Sequence, residues 1–97
     1  MARVIYSNAA LADFERIIEF LLQQAPDSAQ SALEQIRGAV TILESYPEIG
    51  RRVDGERREL VVRYGASGYV ALYRFDPVHN VARILRIRHQ REAGYRD

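Results

Sequence analysis

The sequence predicts an α+β domain of order β-α-α-β-β-β, an antiparallel helical hairpin packed on a small, mostly antiparallel sheet. Three observations lead there. Apolar residues recur at helical spacing through the first half, then give way to β-branched and aromatic runs after Arg57. Short segments carrying Gly, Pro and Asn separate those runs, so consecutive strands turn back on one another. The chain has 97 residues, 47% of them apolar, which is room for one core, and residues 1–97 are read as a single domain.

The elements follow in order. Arg3-Val-Ile-Tyr6 is a short apolar run, read as a first strand that joins the later sheet. Ser7 or Asn8 offers an N-cap oxygen, and a helix is expected over about 8–24. Leu11, Phe14, Ile18, Leu21, Leu22 and Ala25 recur on one face of it, with Ile17 beside them. Asp13 and Glu15 sit early in the helix, where its dipole favours acids. Ala25-Pro-Asp-Ser28 breaks the pattern, and Asp27 followed by Gln30 resembles a capping box. A second helix over about 28–45 presents Ala29, Ala32, Leu33, Ile36, Val40 and Leu43. Its small alanines let the two helices approach closely, and Tyr46-Pro47 ends it.

Residues 47–57 are polar, hold two glycines, and read as a loop. Three strands are expected next, about 58–64, 68–75 and 80–89, joined by turns at Gly65–Gly68 and Asp76–Asn80. The remaining residues, 90–97, are too few for a stable helix. Alternation on the last strand sets Val81, Arg83, Leu85, Ile87 and His89 against Ala82, Ile84, Arg86 and Arg88. Neither set is uniformly apolar, so alternation alone does not say which one meets the helices.

The net charge of +1 hides an asymmetry. Residues 1–50 hold three arginines (Arg3, Arg16, Arg37) against seven acids, a net of −4; residues 51–97 hold eleven against six, a net of +5. All fourteen basic residues are arginine. Either the codon usage of a GC-rich genome or a polyanionic or acidic partner for the sheet accounts for that. No apolar run is long enough to cross a membrane, no signal peptide is evident, and there are no cysteines. A cytoplasmic protein is expected.

Several chemistries are absent. The chain has no glycine-rich phosphate loop, no Cys/His zinc spacing and no nucleophile elbow. With two separated histidines and no acidic cluster, neither metal nor other cofactor is expected. RNA cleavage needs a base, an acid and cations for the developing phosphorane charge. His89, Tyr95 and the arginines could supply these, whereas His79 sits in a turn.

The segments Leu43-Glu-Ser-Tyr-Pro-Glu-Ile-Gly-Arg51, Arg58-Glu-Leu60, Gly68-Tyr-Val-Ala-Leu-Tyr-Arg74 and Ile84-Leu-Arg-Ile-Arg-His-Gln-Arg91 resemble, in order and spacing, the RelE/ParE superfamily of toxins from bacterial type II toxin–antitoxin modules. The resemblance covers nearly the whole chain and implies a cognate antitoxin, ParD-like or of another kind. That partner would cover a groove by the first helices, at Phe14, Ile18 and Leu21, and contact basic residues. Arg51, Arg52, Arg58, Arg74, Arg83, Arg86, Arg88 and Arg91 are the candidates for target or antitoxin binding. RelE-like members are ribosome-dependent mRNA endonucleases, and Arg63, His89 and Tyr95 fall near their catalytic positions. ParE-like members inhibit DNA gyrase and need no nuclease residues. The Pro47-Glu-Ile-Gly-Arg-Arg52 segment and the Arg86–Arg91 ending look most like ParE, and the lysines typical of RelE are missing.

Overall fold

The computed structural model describes residues 1–65 and 67–96. In chain order the elements are β1 (Arg3–Tyr6), α1 (Asn8–Gln24), α2 (Pro26–Val40), a 3₁₀ turn (Thr41–Glu44), β2 (Arg51–Asp54), β3 (Arg57–Tyr64), β4 (Ser67–Asp76) and β5 (Val81–His89). The strands form one sheet in the order β1-β5-β4-β3-β2. β1 lies parallel to β5, and every other pairing is antiparallel. Both helices pack on one face of the sheet.

The expected fold is present with one strand more. Arg51–Asp54, read as loop, pairs with β3 as a short edge strand whose four residues are all exposed. Its charged side chains suit an edge that must not recruit further strands. The first hairpin is tighter than expected, because Tyr64 pairs with Ser67 across Gly65-Ala66. Gly65 there has φ +59°, a left-handed conformation open to glycine; Ala66 and Asp97 lie outside the described residues.

The helical hairpin is also tighter. Only Ala25 separates α1 from α2, Pro26 begins α2, and the expected Asp27–Gln30 capping box does not form. Gln30 instead donates to Glu34 across one turn, at 2.9 Å. At the other end, α2 narrows to the 3₁₀ turn after Val40, earlier than its expected end at 45.

Ser7 caps α1 by accepting from the Ala10 N–H at 3.0 Å, and its own hydroxyl donates to the Leu85 carbonyl at 2.8 Å. One side chain thus starts the helix and ties it to β5.

The core joins Ala10, Phe14 and Ile17 of α1 and Ile36 and Val40 of α2 to Leu43 and to Val62, Tyr69, Ala71, Tyr73, Ala82, Ile84 and Ile87 of the sheet. The α2 stripe is the expected one. The α1 stripe is rotated: it runs Ala10-Asp13-Phe14-Ile17, while Leu11 and Leu22 are exposed. The ambiguous alternation of β5 has a physical origin. Leu72 of β4 pairs with Arg86, but the next residue, Tyr73, pairs with Ile84, leaving Leu85 as a bulge. The bulge resets the alternation, so Ala82 and Ile84 before it and Ile87 after it all enter the core.

Candidate functional site

Asp13 holds the bulge. Its carboxylate is only 4% exposed, on the core stripe of α1. Arg86 donates to it twice, from Nε at 2.9 Å and from a terminal nitrogen at 3.1 Å, and the Ile87 N–H donates at 2.7 Å. β1 pairs with β5 only as far as Ile84, so beyond that point Asp13 supplies a partner to the uncovered edge of β5. Burial alone would raise the Asp13 pKa. The hydrogen bonds from Arg86 and Ile87 and the charges of Arg86 and Arg16 outweigh it and hold the carboxyl below its usual range. Arg16 continues the network to Glu92 in the C-terminal segment, at 3.1 Å.

That segment, residues 90–96, passes beside α1 and sets Tyr95 against the helix-free face of the sheet. The Tyr95 hydroxyl donates to Glu59 Oε2 at 2.8 Å, and the ring lies under the Arg88 and Arg86 guanidinium groups, 5.3 and 5.8 Å from its centroid. Arg86 also donates to the Arg96 carbonyl, and Arg88 donates to the Glu92 carbonyl at 2.9 Å. Beneath lie Val70 and Leu72, 4% and 5% exposed although no helix covers that face. Burial first, and then the hydrogen bond and charge of Glu59, raise the Tyr95 pKa against the opposing pull of Arg88, so the phenol stays protonated.

His89 lies elsewhere. It pairs in register with Tyr69, a core residue on the helix side, and meets that ring edge-on at 5.3 Å. Its Nδ1 accepts the Arg91 N–H at 3.0 Å. With Arg16, Ile17, Phe20, Tyr69, Arg91 and Arg96 it borders an open groove of about 680 Å³ between α1 and the C-terminal segment. Arg63 is exposed on the face opposite Val62 and thus opposite the helices. The sheet therefore separates His89 from Arg63 and Tyr95, and the three expected catalytic side chains do not converge.

The other expected site residues divide by role. Arg58 donates to the Glu48 and Gly50 carbonyls at 3.0 and 2.9 Å, so it fastens the loop before β2. The same loop is locked by the Gly50 N–H, which donates to the buried Tyr73 hydroxyl at 2.8 Å. Arg86 and Arg88 hold Asp13 and the C-terminal backbone, as above. Arg51 meets Glu59 at 3.3 Å and Arg74 meets Glu56 at 3.1 Å, both on the surface, while Arg52, Arg83 and Arg91 are exposed. Of the expected groove residues, Phe14 is in the core, 6% exposed and tilted against Tyr6, and it does not border the open groove. The rotation of the α1 stripe puts it there. Ile18 and Leu21 are half-buried, and Phe20 is an exposed apolar side chain of α1 that borders the groove. Among the described residues no three His, Asp or Glu side chains gather to share a metal ion, and no helix is long and apolar enough to cross a membrane.

The sequence model of the ParE toxin of type II toxin–antitoxin systems matches residues 4–94. The chain belongs to the ParE toxin family. This places it in the RelE/ParE superfamily. It is 37% identical over 92 residues to Toxin RelE3 of Caulobacter vibrioides, an alignment spanning 95% of this chain and 98% of that one. In fold it resembles a chain of the chromosomal ParDE system of P. aeruginosa, with TM-score 0.76 and 22% identity over 92% of this chain and 96% of that one. It also resembles a chain of the RelBE2 toxin–antitoxin complex of Mycobacterium tuberculosis, with TM-score 0.59 and 22% identity over 92% and 98%. At these identities the two structures carry the fold alone.

Proposed function

We propose that this toxin is neutralised by a cognate antitoxin and arrests growth by binding DNA gyrase and trapping it on cleaved DNA, not by cutting RNA. The observation that carries the second half is the separation of His89 from Arg63 and Tyr95 by the sheet. In-line cleavage of RNA needs its base, acid and cations around one phosphate. Tyr95 is already committed to Glu59 and two arginines, and its phenol is not available as a base. Arg86 and Arg88 are likewise engaged in holding the fold. A toxin that works by binding needs none of these to converge, and the chain matches the ParE model, the branch whose resemblance implies gyrase as the target.

Two of the similar structures are of toxin–antitoxin systems, which supports an antitoxin partner here. The groove beside Phe20 suits it: Ile17 and Tyr69 line it, with Arg91 and Arg96 beside the paired Arg16 and Glu92. An amphipathic segment with an apolar anchor and flanking acids fits that surface.

The second reading, a ribosome-dependent mRNA endonuclease, is favoured by the RelE name of the 37% identical relative. Toxicity of the His89→Ala/Tyr95→Phe double variant separates the two. Gyrase poisoning predicts that the folded variant still arrests growth on induction. Complete loss of toxicity, with the circular dichroism spectrum unchanged, supports the nuclease.

A further inference from the structure

On the helix-free face, ladder register sets three arginines side by side. Arg57 of β3 pairs directly with Arg74 of β4, and Arg74 pairs directly with Arg83 of β5. Adjacent strands lie about 4.8 Å apart, so the three guanidinium stems form a row roughly 10 Å long across the sheet. Like charges placed directly opposite on neighbouring strands disfavour the pairing unless something compensates. The compensation is partial. The tip of the β2–β3 hairpin supplies Asp54 to Arg57 and Glu56 to Arg74, at surface positions where ion pairs are weak. Arg83 has no ion-pair partner among the described residues and is exposed. These arginines differ from Arg58, Arg86 and Arg88, whose guanidinium groups are spent on carbonyls and a buried acid.

We propose that the Arg57–Arg74–Arg83 row binds the phosphate backbone of duplex DNA. The three arginines are exposed, and the exposed apolar residues on neighbouring segments, Val53, Val61 and Val78, stand singly and form no anchor of the kind a protein interface would need. Evenly spaced, permanently charged forks suit a regular line of phosphates. Asp54 and Glu56 then act as placeholders that phosphates displace. The inference goes beyond gyrase binding and is read without gyrase, so it stands or falls separately from the choice of target.

The test is fluorescence anisotropy of a labelled duplex of about 20 base pairs, titrated with the full chain between about 50 and 200 mM salt. Each neutralised phosphate contributes about 0.9 to the slope of log affinity against log salt, so Arg57→Gln/Arg74→Gln/Arg83→Gln is expected to lower that slope by about 2.7. The corresponding triple lysine variant keeps the slope, because charge is retained. Arg37→Gln on α2, a helix-layer position away from the row, leaves duplex binding as in wild type. A triple glutamine variant with wild-type affinity and slope overturns the proposal. So does a wild-type chain that ignores the duplex at low salt but binds poly-glutamate through these arginines, which would make the row a site for an acidic protein.

Discussion

Asp13 is where sequence and structure part most sharply at the scale of the residue. A carboxylate inside a helical apolar stripe reads as a surface or dipole position, and nothing in the pattern of α1 marks its partner 73 residues away. Only the bulge in β5, which turns the Ile87 N–H outward, makes a buried acid necessary there. Removing one member of a buried ion pair costs roughly 3–5 kcal/mol. Arg86 keeps some contact with water, so Asp13→Asn is expected to lower unfolding free energy by about 3 kcal/mol in urea titrations. The pH dependence has a definite sign. The Asp13 pKa is depressed in the folded state, so its contribution is complete above the unfolded value near 3.9 and is lost as pH falls through the lower folded value. Wild-type stability therefore drops on acidification below about pH 4, and the drop is shallower in Asp13→Asn. Gly50 contrasts with Asp13, because its motif was legible and its reason was not. A Cβ at position 50 would sit 2.5 Å from Tyr73 Cε1 and 2.9 Å from the Glu59 carbonyl oxygen. Gly50→Ala is accordingly expected to cost about 1–3 kcal/mol by the same measurement.

Periodicity found both helices and four of the five strands, because each long element carries its own pattern. β2 was hidden because Arg-Arg-Val-Asp has no apolar face, and it is a strand only through its pairing with β3. The bulge at Leu85 was equally hidden, since one inserted residue scrambles alternation without a glycine to announce it. The C-terminal segment, too short for a helix, is held by Tyr95, Arg86, Arg88 and Arg16 acting from outside it. Tyr95→Ala removes the ring and its hydrogen bond together, leaving Val70 and Leu72 without their cover. Trypsin is expected to cut after Arg91 several-fold faster in that variant, while α1 and the sheet keep wild-type hydrogen-exchange protection. Equal cleavage rates would mean that the segment is anchored without Tyr95.

For the whole molecule, the sequence supports a family and a fold, and the structure divides the arginines between them and the surface. Five of the eight arginines expected to bind a partner looked equivalent along the chain because each sits in an expected strand. Contacts alone separate Arg58, Arg86 and Arg88, which fasten the fold, from Arg74 and Arg83, which face solvent. The catalytic candidates, expected only of a RelE-like toxin, are distributed over both faces of the sheet. His89 lies on the helix side of the sheet, and Arg63 and Tyr95 lie on the other. The dispersal of the nuclease candidates and the strap role of Tyr95 are what support the proposed binding mechanism over RNA cleavage. The direct measurement is a plasmid cleavage assay with the purified toxin, DNA gyrase and ATP, read as linear DNA on a gel. Gyrase poisoning predicts linear product that requires gyrase, rises with toxin and disappears when the antitoxin is added. No linear product from a folded preparation that is toxic in cells would contradict it and direct the search to mRNA on the ribosome.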